Sequence, residues 1–174
     1  MRWLPFQLNP DLPECGIPRE EYVARKFGAR GKGVYERVTM VGRQVGIPFA
    51  YEKMKVQPNT LNAHRLLCYA EREGKQDELA EELFRAHFME GANLTDRETL
   101  AGIAARAGLD RKVVVDYLAG DTDRDQVALA DVEARSAGIG GVPYFIFNRK
   151  VGVSGAQDPE ALLEAMEQAL QAQG

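Results

Sequence analysis

Cysteine is scarce in this 174-residue sequence: there are two, Cys15 and Cys68, and no Cys-x-x-Cys pair. Two thiols so far apart exclude the disulfide framework that staples small secreted domains, and a reducing cytosol would keep both free. Histidine is equally rare, with only His64 and His87. These four residues fit no zinc-ligand spacing, so no metal site and no bound cofactor are expected. No apolar run approaches the ~20 residues that span a bilayer, so no membrane-embedded role is expected. Basic residues are outnumbered, 22 against 26 acidic, for a net charge of -4. That balance argues against a nucleic-acid partner, because phosphate affinity rests on clustered Lys and Arg. Met1-Arg2-Trp3-Leu4-Pro5 lacks the apolar core and small-residue cleavage site of a signal peptide, which leads to a cytoplasmic expectation. Internal repeats and low-complexity stretches are also lacking.

What is present is enough apolar residue, 45% of the chain, to build one domain or a small domain with an insertion. Arg2 to Leu8 is short, apolar and aromatic and ends at Asn9-Pro10. It reads as a strand, with Pro5 favouring an edge position. Asp11 to Pro18 reads as a loop. From there to about Gly120 the pattern is helical. Arg19 to Val45 is helical in type and interrupted near Gly28, Gly31 and Gly33. Leu61 to Glu73 and Asp77 to Met89 follow, broken at Gly74 and Gly91. Thr95 to Gly108 carries an expected capping box of Thr95 and Glu98 and an apolar face of Leu100, Ile103, Ala104 and Ala107. A short helix over Arg111 to Leu118 comes next, then one from Thr122 to Ala137. Tyr144 to Phe147 and Val151 to Ser154 flank Asn148-Arg149-Lys150 as a hairpin. The last helix opens with Asp158 as N-cap and Pro159 at its first position, and carries the stripe Leu162, Leu163, Met166, Ala169, Leu170. Strand content therefore sits at the two ends. The economical arrangement is one α/β domain built from both termini around a helical insertion.

Few residues stand out for chemistry. Gly140-Gly141-Val142-Pro143 lies directly before an aromatic strand. A cis bond at Val142-Pro143 would turn the Val142 backbone outward, able to pair with an extended peptide; a trans proline would merely punctuate a loop. His64 and Arg65 either face a groove and bind a substrate carboxylate, or serve as a capped histidine and a surface arginine tying two domains together. Cys68, within an apolar helix, reads as a buried structural thiol. Cys15, in Pro13-Glu14-Cys15-Gly16, reads as an incidental exposed thiol or a redox sensor. His87 is expected to be structural. Gly28-Ala29-Arg30-Gly31-Lys32-Gly33 lacks the Ser or Thr after Gly-Lys that a phosphate-binding loop needs and reads as a helix break.

Three blocks carry a family resemblance. Gly141 to Asn148 followed by Val153 to Glu160 resembles the C-terminal signature of the DsbA family, specifically its FrnE-like branch. Trp3 to Pro10 is similar to the segment after the active-site helix in that branch. Pro58 to Arg65 resembles its internal helix-entry motif. The resemblance implies an α/β thioredoxin-like fold over residues 1–15 and 121–174, with an all-helical domain over 16–120 inserted. It implies a cis Pro143 facing thiol–disulfide chemistry, in which a helix N-terminus lowers the pKa of the first cysteine of a Cys-x-x-Cys. No such motif occurs here, so no catalytic residue is assigned within the chain. The fold is expected to be incomplete, its first strand and active-site helix absent, because Met1 falls where the family's second strand begins.

The resemblance leaves three functions open. The first is a disulfide oxidoreductase or isomerase whose dithiol lies upstream. The second is a glutathione-dependent isomerase or transferase of the kappa or hydroxychromene-carboxylate type, with glutathione as co-substrate and Asn59 and Val142 as contacts. The third is a peptide- or partner-binding module that forms homodimers by pairing strand edges. Substrate-binding candidates are Val142, Pro143, Asn59, His64 and Arg65. The expected partners are thiol or disulfide peptides or a glutathione-like molecule.

Overall fold

Helix–helix packing in this protein follows from where the small and aliphatic residues fall. The computed structural model describes residues 1–28 and 31–172, in two compact units, residues 1–128 and 129–174. In the first unit, β1 (Ile17–Pro18) leads into α1 (Arg19–Phe27) and α2 (Gly31–Gln44), then β2 (Val56–Gln57), α3 (Leu61–Arg72), α4 (Gln76–Arg85), α5 (Arg97–Arg106) and α6 (Arg111–Ala119). The helix α7 (Arg124–Ser136) starts in this unit and ends in the second, which holds β3 (Tyr144–Phe147), β4 (Val151–Ser154) and α8 (Pro159–Gln171).

The core of the first unit is built by α3 to α6. Leu66 and Ala70 of α3, Leu79 and Leu83 of α4, Leu100, Ile103 and Ala104 of α5, and Val114 and Leu118 of α6 form one buried cluster. The i, i+3, i+4 spacing gives each helix one apolar face, and alanines at Ala63, Ala86, Ala101 and Ala107 let the helices approach closely. The helix expected from Thr95 begins instead at Arg97. Its N-cap is Asp96, whose carboxylate accepts from the Thr99 N–H at 2.9 Å, while the Thr95 hydroxyl donates to Asn93 Oδ1 at 2.8 Å. A carboxylate is the better acceptor at the positive end of a helix. The helix expected to run to Met89 ends as α-helix at Arg85 and widens into a π-turn over Ala86–Glu90. Between α1 and α2 the expected break falls on Ala29 and Arg30, which lie outside the described residues; Gly28 before it has a φ of 54°.

The strand expected over Arg2 to Leu8 does not form. The Trp3 N–H donates to Gln76 Oε1 at 3.0 Å, and Gln76 Nε2 donates back to the Trp3 carbonyl at 3.0 Å. A carboxamide offering an acceptor and a donor side by side reproduces one rung of a β-ladder, so the Trp3 backbone is satisfied without a neighbouring strand. The indole Nε1 donates to Asp77 at 2.7 Å and the ring meets Phe84 edge-on at 5.7 Å. Phe6 and Gln7 are buried. Residues at the N-terminus thus pack within the first unit, alongside the helices. A two-residue ladder that periodicity did not signal pairs Ile17 with Gln57 and Pro18 with Val56. It requires Gly16, with a φ of 72°, because a Cβ there would lie 2.5 Å from the Gln57 carbonyl oxygen.

In the second unit the hairpin pairs Tyr144 with Ser154, Phe145 with Val153, Ile146 with Gly152 and Phe147 with Val151. Strand alternation puts Phe145, Phe147, Val151 and Val153 on one face; the two phenylalanine rings stack 6.4 Å apart. The turn closes with the Lys150 N–H donating to the Phe147 carbonyl at 3.0 Å, and Asn148 and Arg149 both have positive φ, 53° and 58°. That left-handed conformation at two successive residues tightens the three-residue loop between the paired Phe147 and Val151. Asn148 tolerates it, whereas an arginine pays a Cβ penalty. Arg149→Gly is therefore expected to stabilise the protein by about 0.5–1 kcal/mol, read as a higher denaturant midpoint at unchanged slope; a loss of stability would show that the arginine side chain contributes more than the backbone costs.

Candidate functional site

The segment leading into β3 is held from one side and open on the other. The helix α7 ends with Gly138 at a φ of 84°, the Ile139 N–H donating to the Ala134 carbonyl at 3.0 Å. This closes the helix with a left-handed glycine. Gly140 and Gly141 follow, and nothing among the described residues lies within 4 Å of where their Cβ atoms would sit. The Val142–Pro143 bond is cis. The Pro143 carbonyl accepts from the Gly155 N–H at 2.8 Å, pinning the strand entrance to the end of β4. The Val142 side chain is 49% exposed, and no hydrogen bond among the described residues reaches its backbone.

Asn59, His64 and Arg65 gather at the entrance of α3, in the first unit. Asn59 and Arg65, expected to meet a substrate, both have hydrogen-bond partners within the protein. Asn59 is buried, and both ends of its carboxamide are occupied: Nδ2 donates to the Leu12 carbonyl at 2.7 Å and Oδ1 accepts from the Leu61 N–H at 2.9 Å. It starts the helix as an Asx turn and ties in the preceding loop. His64 is half-buried in the first turn, its N–H donating to the Thr60 carbonyl at 3.0 Å.

Arg65 is not a surface residue; its exposure is 0%. Its guanidinium donates to the carbonyls of Thr122 at 2.8 Å, Gly120 at 2.6 Å and Tyr117 at 3.2 Å, and to Asn62 Oδ1 at 2.8 Å. The fork satisfies the end of α6 and the loop after it, carbonyls that have no partner within the helix. The Tyr117 hydroxyl lies 2.8 Å from the Arg65 carbonyl and 2.6 Å from the Asp123 carboxylate and shares its single proton between them. Arg72 donates to the same carboxylate oxygen at 2.7 Å, and Arg124 reaches Glu14 at 2.6 Å. Residues Tyr117, Asp123 and Arg72 carried no local signal in the sequence, because the contacts that join them are up to 51 positions apart.

Burial, then the Asp123 carboxylate, push the Tyr117 hydroxyl well above the ordinary phenol range, so it acts as a donor. The Cys68 thiol, buried on α3, is raised in the same order by burial and by Asp123. It is a poor source of thiolate. Cys15 is exposed, its Sγ 3.5 Å from the Gly16 carbonyl. Both cysteines are free thiols. His87 is buried in the π-turn, Nδ1 3.3 Å from the Ala92 carbonyl, and burial depresses its pKa, as a structural histidine requires. Among the described residues no cluster of His, Cys, Asp and Glu could hold a metal ion, and no helix is long and apolar enough to cross a membrane.

Two tests follow from the network. Arg65→Lys replaces three donor nitrogens in a planar fork by a single ammonium that cannot reach all four acceptors, and is expected to destabilise the protein by on the order of 3 kcal/mol, measured by denaturant unfolding; a neutral change would mean water replaces the guanidinium. Asp123 contributes to the acid response. Burial alone would raise its carboxyl, but hydrogen bonds from Arg72 and Tyr117 outweigh this and hold it below the ordinary value. A folded-state pKa below the unfolded one stabilises at neutral pH, and that contribution is lost as pH falls through the carboxylate range. The native protein should lose stability more steeply than Asp123→Asn between neutrality and about pH 3; equal slopes would remove Asp123 from the account. Asparagine keeps the left-handed backbone at this position, where φ is 63°.

Comparison with known proteins accords with this architecture. A solved structure of a probable DsbA oxidoreductase from Streptomyces coelicolor superimposes with a TM-score of 0.87 at 27% identity, covering 97% of this chain and 74% of that one. No curated protein matches the sequence. The family model for the DsbA-like thioredoxin domain matches residues 1–167. The chain belongs to the DsbA-like thioredoxin domain family, with the mostly helical, few-stranded α/β fold of that family.

Proposed function

We propose that this chain is the substrate-binding portion of a thiol–disulfide oxidoreductase or isomerase of the FrnE-like branch, acting with a Cys-x-x-Cys dithiol that lies outside these 174 residues. The observation that carries the reading is the Val142 backbone. Its N–H and C=O stand at the head of β3 without partners among the described residues, next to a Pro143 pinned by Gly155. An extended peptide adding beside such a strand end gains main-chain hydrogen bonds whatever its sequence. The exposed Val142 side chain adds apolar contact. That combination suits an unfolded polypeptide carrying a disulfide or thiols.

The chemistry itself falls outside the chain's two thiols. Exchange needs a thiolate that attacks a disulfide sulfur, after which a second thiol displaces it to release the reduced substrate. Cys68 is buried with its thiol raised, and Cys15 has no second cysteine within three residues. Two unpaired thiols accord with a reducing cytosol. The glutathione reading loses its Asn59 contact, because both ends of that carboxamide are engaged.

Two measurements test the proposal. The 174-residue chain should reduce insulin disulfides no faster than an equal concentration of free cysteine; rapid turnover would place the reactive thiol within it. It should also bind a reduced, unfolded peptide, and Val142→Asp should weaken that binding about fivefold or more while shifting stability by less than about 0.5 kcal/mol, as exposed substitutions do. Unchanged affinity would refute the platform.

A further inference from the structure

The net charge of -4 conceals a segregation of sign. Residues 19–55 carry nine basic side chains against four acidic, while the rest of the chain carries thirteen against twenty-two. Part of that local excess sits on α1, where Arg19, Tyr22 and Lys26, spaced by three and four positions, form one stripe. The Arg19 guanidinium lies 5.6 Å from the centre of the Tyr22 ring and 4.7 Å from that of Tyr35 in α2. The Lys26 ammonium lies 5.2 Å from the same Tyr22 ring and donates to the Tyr22 hydroxyl at 2.8 Å. Two cations thus flank one phenol, and among the described residues neither forms an ion pair. Glu21 is taken by Arg25, and Glu20, Glu36 and Glu52 reach neither cation.

The cluster is rich in donors and short of acceptors. Gln57 Oε1 takes one Arg19 N–H, and the others meet no acceptor among the described residues. Tyr22 accepts from Lys26 and keeps its own O–H unspent. Burial, against the opposing pull of Arg19, pushes the Tyr35 phenol up, so it too remains a donor. The surrounding rings hold these groups in place: Tyr35 meets Phe27 edge-on at 5.8 Å and lies 4.7 Å from Tyr51. An aromatic face offsets part of a cation's charge but offers no lone pair in the ring plane to its N–H groups. Lys26 is exposed and Arg19, Tyr22 and Tyr35 are half-buried, so the donors are fixed and still reachable from solvent.

We propose that Arg19, Tyr22, Lys26 and Tyr35 form a binding site for the phosphate group of a small phosphate monoester. Two cations and two phenol O–H groups offer more donors than the two oxygens of one carboxylate can use. A phosphate monoester brings three acceptor oxygens and nearly two negative charges at neutrality, which matches the cluster in both respects. The planar Arg19 fork engages two phosphate oxygens together, leaving the third to the phenols and Lys26. A nucleic-acid backbone carries one charge per phosphate and is held by a row of cations, which a single compact cluster does not supply. Neither thiol takes part.

Isothermal titration calorimetry of the 174-residue chain with phenyl phosphate, at constant ionic strength, tests the site. The expected Kd is on the order of 1 mM, with benzoate about tenfold weaker. Arg19→Gln should weaken phenyl phosphate about tenfold, and Tyr22→Phe, which keeps the ring and loses only the hydroxyl, about threefold. Arg25→Gln removes the same charge from the same helix, but Arg25 is already paired with Glu21, so it should change the Kd by less than about twofold. Equal losses from Arg25→Gln and Arg19→Gln would reveal diffuse attraction and overturn the proposal. Benzoate binding as tightly as phenyl phosphate overturns it too, as does the absence of binding at about 20 mM phenyl phosphate. Should Arg19→Gln disturb folding, seen by circular dichroism, Tyr22→Phe decides, since an unchanged Kd overturns the site.

Discussion

A guanidinium with no exposed surface has to be met by acceptors, and in this protein that requirement organises the junction of three helices. Arg65 lies in α3 and finds its partners in the carbonyls at the end of α6 and in the loop that opens α7. The charge stays buried because backbone carbonyls, with two lone pairs each, receive it in a planar fork. Among the described residues no carboxylate hydrogen-bonds it; Asp123 meets the Tyr117 hydroxyl, which lies at the Arg65 backbone carbonyl. Removing any one acceptor would leave an N–H unpaired in a dry interior, which costs more than the bond gains. The loop from Gly120 to Asp123 is therefore tied to α3 at two of its carbonyls although it has no regular structure.

The helical content was legible because each of α3 to α6 carries its apolar residues at helical spacing and a glycine follows each helical stretch, after the π-turn in the case of α4. Gly74, Gly91 and Gly108 all have positive φ, the conformation for which glycine is selected at a helix end. What misled at the N-cap of α5 was a choice between two adjacent side chains, Thr95 and Asp96, either of which satisfies the local pattern. The strand expected over Arg2 to Leu8 failed for a different reason. Its apolar, aromatic composition suits a strand, but a strand needs a partner, and Gln76, more than seventy positions away, supplies that partner as a side chain. Propensity describes one segment; pairing is a property of two.

The candidate site divides in the same way. The turn at Val142 and Pro143 is legible because glycine, glycine and proline before an aromatic run constrain a backbone locally. The helix-entry motif from Pro58 to Arg65 was noticed for equally good reasons, yet Asn59 and Arg65 serve the fold. Nothing in those eight residues distinguishes an arginine that meets a ligand from one that meets main-chain carbonyls, since both tasks demand the same planar set of donors. The distinction lies with Tyr117, Gly120 and Thr122, which present the acceptors, and their proximity is a tertiary fact.

The two units also differ in how their interiors are completed. The first closes its core by itself: fifteen buried residues from α3 to α6 and the adjoining loops form one continuous cluster. In the second, the buried apolar residues at the hairpin are Ala165 and Ala169 of α8, while the hairpin phenylalanines are only partly covered. A two-stranded ladder gains little on its own, since each strand leaves one edge without partners. Its stability therefore depends on the cover given by α8, and the turn contacts from Asn148 and Lys150 to the end of that helix are what keep the cover in register. A helix recruited for that task presents alanines to the sheet, because small residues let it lie close to stacked aromatic rings. Its larger side chains, Leu163, Met166 and Leu170, are then left on the adjacent flank. The close fit on one side and the unfilled apolar stripe on the other are consequences of the same sequence choice.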